Sequence, residues 1–236
     1  MTPAFPGFPA DSLKFLQQIR RNNNREWFEK NRPRYESALK QPMKELVAAL
    51  GVHLRRQAPE VICDPAKAIY RIHRDVRFSK DKSPYKTHIA AIFPVRGLPK
   101  NSGPGLYFHY SAEEVLIAGG VYMPEAAELR AIREHIAENP RQLKKIVTGK
   151  KFRALFSRME GEQLKKLPKG YLPGHPAEEF LRYKQFLFGK QYGPELATSP
   201  KLLPEILACF AAGLPLIRFL TTAVQQAHAA DFASDL

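Results

Sequence analysis

Between Arg71 and Lys86 the chain reads RIHRDVRFSKDKSPYK, which packs three Arg, three Lys, two Asp, one His and one Tyr into sixteen residues. Guanidinium groups are planar, always charged and donate in pairs, so an arginine-rich run suits the recognition of phosphate or carboxylate. Tyr70, Ile72, Val76 and Phe78 alternate with Arg71, His73, Asp75 and Arg77, and this period of two predicts a half-buried strand over Ile69–Phe78 with one charged face. On that face Asp75 can hold Arg71 and Arg77 by charge-assisted hydrogen bonds. Arg74 falls on the apolar face, where an unpaired guanidinium is costly, so it needs a carboxylate or carbonyl partner or a bend in the strand. A following turn carrying Lys82, Tyr85 and Lys86 would complete a ring of donors. The ligand-binding set is therefore Arg71, Arg74, Asp75, Arg77, Lys82, Tyr85 and Lys86, and the matching ligand is a phosphate compound, a carboxylate or a nucleic-acid backbone. The same ladder has a second use, as a brace in which Phe78 and Tyr85 anchor the core.

Catalysis on this run has three candidates, Asp75, Lys82 and Tyr85. Three neighbouring arginines should lower the pKa of Asp75 and make it a fixed anion rather than a proton shuttle. An enzyme acting on a phosphorylated or otherwise anionic small substrate, with Tyr85 or Lys82 as proton donor, would lack a general base and a metal set. His73, His88 and His109 match no local ligand spacing, so no metal site is expected. No Gly-x-Ser-x-Gly elbow, P-loop or Gly-x-Gly-x-x-Gly follows a strand, and no cofactor is expected. Tyr107, Phe108, Tyr110 and Tyr122 suit sheet packing, or stacking platforms for single-stranded nucleic acid.

The pattern Arg71-x-x-Arg74-Asp75-x-Arg77-Phe78, followed by Asp81-Lys82-x-x-Tyr85, resembles the signature of a bacterial family of conserved hypothetical proteins of about this length, a domain of unknown function. The stretch Phe5 to Asn24, the Trp27-Phe28 helix and the loop from Lys169-Gly170-Tyr171 to His175-Pro176 are similar to that family as well. The resemblance implies that Arg71, Arg74, Asp75, Arg77, Phe78, Lys82 and Tyr85 occupy its signature positions, and it implies no activity.

The elements that must position this run read as α+β. Asp11 and Ser12 start a helix through Leu13, Leu16 and Ile19, which the Asn22–Asn24 run stops. A second helix opens at Arg25, breaks near Pro33 and resumes to Gly51. Strands are predicted at Thr87 to Val95, Leu106 to Tyr110, Val115 to Tyr122 and Gln185 to Phe188, giving an antiparallel sheet of four or five strands covered by N-terminal and C-terminal helices. Helices follow from Pro124 to Asn139 and from Pro140 to Val147. Residues Lys165 to Pro176 form a long basic loop and are followed by a short helix to Arg182. Glu205 to Asp231 reads as two core helices divided at Gly213 and Pro215. No repeat or linker forces a boundary, so 1–236 reads as a single domain.

Composition bounds the partners. The 236 residues carry 37 Lys plus Arg against 23 Asp plus Glu, a formal net charge of +14. Residues 67–100 hold nine basic and two acidic residues, residues 141–190 hold thirteen and four, and residues 101–140 reverse the sign with two and six. An excess concentrated in this way makes an anionic partner worth weighing, nucleic acid being the most plausible large one, with a solvated basic surface as the alternative, above all for the lysines of 141–190. Two cysteines and no leader-like N-terminus point to the cytoplasm, and no membrane partner is expected.

Overall fold

The computed structural model describes residues 4–234, with side chains to residue 229. Helix α1 (Asp11–Arg21) is followed by α2 (Arg25–Tyr35), whose N-terminus is closed by Asn24, the side chain of which accepts from the Trp27 amide. Asp11 and Ser12 do not cap α1. Ser12 is buried and reaches the Tyr110 hydroxyl at 3.1 Å, while the Asp11 carboxylate accepts from Arg34. Pro33 does not break the second helix either. The chain runs helically from α2 through a π-helical turn at Glu36–Lys40 into α3 (Gln41–Gln57), past Gly51. The widened turn just beyond Pro33 absorbs the misfit of a ring that removes one backbone donor and crowds the preceding turn.

A short helix α4 (Pro65–Ala68) precedes β1 (His88–Pro94), β2 (Gly105–Ser111) and β3 (Val115–Val121). Next come α5 (Ala126–Glu138), α6 (Pro140–Thr148), α7 (Lys150–Leu155), α8 (Glu178–Leu181), β4 (Phe186–Tyr192) and α9 (Leu202–Ser234). Pro124 lies just outside α5, whose N-terminus is a capping box of Glu125 and Glu128. The four strands form one antiparallel sheet in the order β1-β2-β3-β4. The C-terminal region is one helix rather than two. Pro215 sits on its exposed side, where water can take the freed carbonyl, and Gly213 leaves room for the Phe188 ring. This helix is long and apolar enough to cross a membrane, and it is mostly buried within the protein.

By contacts the chain divides into two compact units. The first holds residues up to Ile92 with Tyr107–Ile117 and Gln191–Ala208. Its core brings Phe15, Phe28, Tyr35, Leu39, Met43 and Leu46 of the N-terminal helices together with Ile89, Ala91, Phe108 and Tyr110 of the strands. The second holds Phe93–Leu106, Ala118–Lys190 and the residues from Cys209 on, with Phe93 on Phe210 and Phe188 on Phe156. Gly120, with φ of +126°, lies so close to β4 that an added Cβ would stand 2.0 Å from the Phe186 carbonyl oxygen. Gly120→Ala is therefore expected to cost about 2 kcal/mol or more in thermal or urea unfolding. Gly97→Ala, where φ is also positive but nothing lies within 4 Å, should cost about half as much.

Candidate functional site

Residues 69–91 form a hairpin whose stem is too irregular to be a strand. Ile69 bridges Ala91 and His73 bridges Tyr85, so between the bridges three residues on one side oppose five on the other and the ladder is interrupted by a bulge. The stem is held by the Tyr70 amide to the Ala90 carbonyl at 2.9 Å, Lys86 to Ile72 at 2.8 Å and Arg74 to Pro84 at 2.9 Å. The predicted alternation survives in accessibility from Arg71 to Arg77, odd residues being exposed and even ones half-buried. It fails at Phe78, which is 95% exposed instead of anchoring the core.

Two aspartates explain that failure. The Asp75 carboxylate accepts from the Arg77 amide and the Ser79 amide bonds back to the Val76 carbonyl, so the chain turns before Phe78 can point inward. At the other end of the loop Asp81 accepts from the Ser83 amide at 2.9 Å and its hydroxyl at 2.6 Å, while its second oxygen takes the Arg74 guanidinium. Arg74 thus has the carboxylate partner its position demands. Asp75 also takes the Arg77 Nε and Nη2 at 3.0 and 2.7 Å, and these bonds hold its carboxyl down to about 2, with the Arg71 charge a lesser contributor. The bonds from Ser83 and Arg74 lower Asp81 further still. Both remain fixed anions at any ordinary pH. Lys82 donates from Nζ to the Val76 carbonyl at 2.9 Å and closes the loop. Arg71 and Lys80 are exposed and have no hydrogen-bond or ion-pair partner among the described residues.

Tyr85 is not a surface donor. It is 2% exposed, its ring stacks on Phe28 at 4.1 Å, and Asn23 grips its backbone at both ends, donating to its carbonyl at 2.9 Å and accepting from its amide at 3.0 Å. His73 lies on the same side, 5.2 Å from the Tyr85 ring. Lys86 turns to the opposite side of the stem, with its ammonium 4.8 Å from the Tyr70 ring. The structure therefore gathers Arg74, Asp75, Arg77 and Lys82 in one loop, leaves Arg71 in the stem with its charge acting on Asp75, and separates Tyr85 and Lys86 from the loop. Phe78 at the loop tip, with the Arg77 guanidinium 5.7 Å from its ring, is the feature sequence reasoning misplaced. The pair of Asx-type turns at Asp75 and Asp81 was the signal for it.

A second group lies on the half-exposed face of β1 and β2. The His88 and His109 rings stand 5.3 Å apart, whereas His73 is elsewhere. Tyr107 Oη lies 3.2 Å from His109 Nδ1, and His109 Nε2 lies 3.0 Å from a Glu114 carboxylate oxygen. A carboxylate only accepts, so the proton sits on Nε2 and Nδ1 takes the tyrosine hydroxyl. Strand period places Tyr107 and His109 on one face, and the tight turn in which Ser111 receives the amides of Glu113 and Glu114 returns Glu114 beside them. Among the described residues no group of three or more His, Cys, Asp or Glu side chains is placed to hold a metal ion.

Burial, then the His109 and Lys86 charges, push His88 down to about 4, and burial also lowers His109 against the raising effect of Glu114. The folded protein keeps His88 neutral below its ordinary value of 6.5. Its contribution to stability is thus intact above that pH and is lost as the pH falls toward 4, because the unfolded chain takes up the proton first. His88→Asn is expected to flatten the fall in melting temperature across this window.

The family of conserved hypothetical proteins, DUF2461, matches residues 11–219, and the chain belongs to it. No curated protein and no solved structure shows a significant match.

Proposed function

We propose that this DUF2461 protein binds an anionic, phosphate-containing ligand, single-stranded nucleic acid foremost, at the loop of residues 71–83. The observation that carries the reading is Phe78, a large apolar side chain left 95% exposed at the tip of a basic loop. Exposing a phenyl ring costs on the order of 2 kcal/mol relative to burying it, and the loop holds it out by specific turns rather than leaving it to collapse. A base can stack on that ring whatever its identity, and Arg77, Lys80 and Lys82 of the same loop, with Arg71 on its stem, can meet the backbone phosphates. The internal pairs Arg74–Asp81 and Arg77–Asp75 set the shape of the loop, and Arg71 and Lys80 are exposed cations outside those two pairs.

Fluorescence anisotropy of labelled single-stranded RNA, single-stranded DNA and duplex DNA across a salt series tests this. Phe78→Ala should weaken single-strand binding about tenfold, which corresponds to the loss of one stacked base, and leave the melting temperature unchanged. The double variant Arg71→Ala/Lys80→Ala should lower the salt slope by about 1.5. Salt-independent or undetectable binding by the wild type, or variants that bind like it, would refute the proposal.

A further inference from the structure

Independently of the nucleic-acid reading, the open face of β1 and β2 holds an arrangement that the loop does not use. Tyr107, His109 and Glu114 form a linear chain of hydrogen bonds in the order of a nucleophile, a base and the group that orients the base. The side chains of His109 and Glu114 are 15% and 26% exposed, so the imidazole is partly shielded and its interaction with the carboxylate is stronger than in water. His88 stands beside His109, its ring nitrogens without a hydrogen-bond partner among the described residues, and Lys86 lies close enough for its charge to act on His88. A structural role for Tyr107 would need only a hydrogen bond. It would not need a partner whose other nitrogen is oriented by a carboxylate.

We propose that Tyr107, His109 and Glu114 form an acyl-transfer site for small carboxylic esters, with Tyr107 Oη as the nucleophile and water as the final acceptor. Tyr107 Oη forms a bond to the acyl carbon as its proton passes to His109 Nδ1. The ester C–O bond breaks with its electron pair on the leaving oxygen, which takes that proton from His109. Water then attacks the acyl-tyrosine, gives a proton to His109 and releases the acid, and the proton returns to Tyr107. Glu114 stabilises the imidazolium in both halves.

The test uses the whole protein and p-nitrophenyl acetate. Tyr122, 62% exposed, serves as an internal reference, because accessibility alone would make it react before the half-buried Tyr107. Peptide mass spectrometry at early times should find the acetyl group on Tyr107 ahead of Tyr122, with continued release of p-nitrophenolate. His109→Gln should slow that acetylation about 100-fold and Glu114→Gln should act in the same direction, the loss of general-base assistance being of this order. Faster acetylation of Tyr122, or release that stops at a stoichiometric amount, overturns the proposal. Both readings come from the wild type and do not depend on whether the variants fold.

Discussion

Asn23 holds both backbone polar groups of Tyr85, and Phe28 lies flat against the Tyr85 ring. At the His73–Tyr85 pair the ladder bonds are made by the neighbours, Arg74 to Pro84 and Lys86 to Ile72, so the Tyr85 amide and carbonyl point away from the stem and must be satisfied from outside it. One side-chain amide from the loop between α1 and α2 replaces two ladder bonds. Everything outward of that clamp, from Arg74 to Ser83, is then free to be a loop whose shape is set by its own side chains. Two hydrogen bonds of this kind contribute on the order of 2 kcal/mol together. More importantly, they fix where the loop leaves the folded unit.

Within the loop, electrostatics acts on geometry more than on stability. Exposed ion pairs contribute little to folding, typically under about 1 kcal/mol, so Asp75 with Arg77 and Asp81 with Arg74 are poor candidates for a brace. Each aspartate also binds a backbone amide two residues on, which makes it a turn-former whose remaining oxygen happens to orient an arginine. The outcome is a stiffened basic loop with an aromatic tip. On the other side of the same stem Lys86 stands 4.8 Å from the Tyr70 ring, and its charge acts on His88.

Much of this was legible in the residues. Strand period and turn residues placed all four strands and the α+β class, and the demand of a half-buried Arg74 for a carboxylate was met by Asp81. Three features were not, each for a local reason. The strand expected at Ile69–Phe78 pairs only as far as Arg74, beyond which the Asp75 side chain takes the Arg77 amide and turns Phe78 outward, and the bulge lies on the other side of the His73–Tyr85 bridge. Pro33 and Pro215 failed to divide helices because a π-helical turn and an exposed helix side absorbed their cost. The chain Tyr107–His109–Glu114 joins a strand to its own hairpin turn, a contact that periodicity alone does not announce.

The central claim, that the clamped loop is a ligand surface, is tested most directly by hydrogen–deuterium exchange of the whole protein with and without single-stranded RNA. Slowed exchange concentrated in residues 71–83 is the expected result. Unchanged exchange there, with slowing confined to the lysine-rich residues 141–169, would contradict the claim and move the polyanion surface to α6, α7 and the loop beyond them.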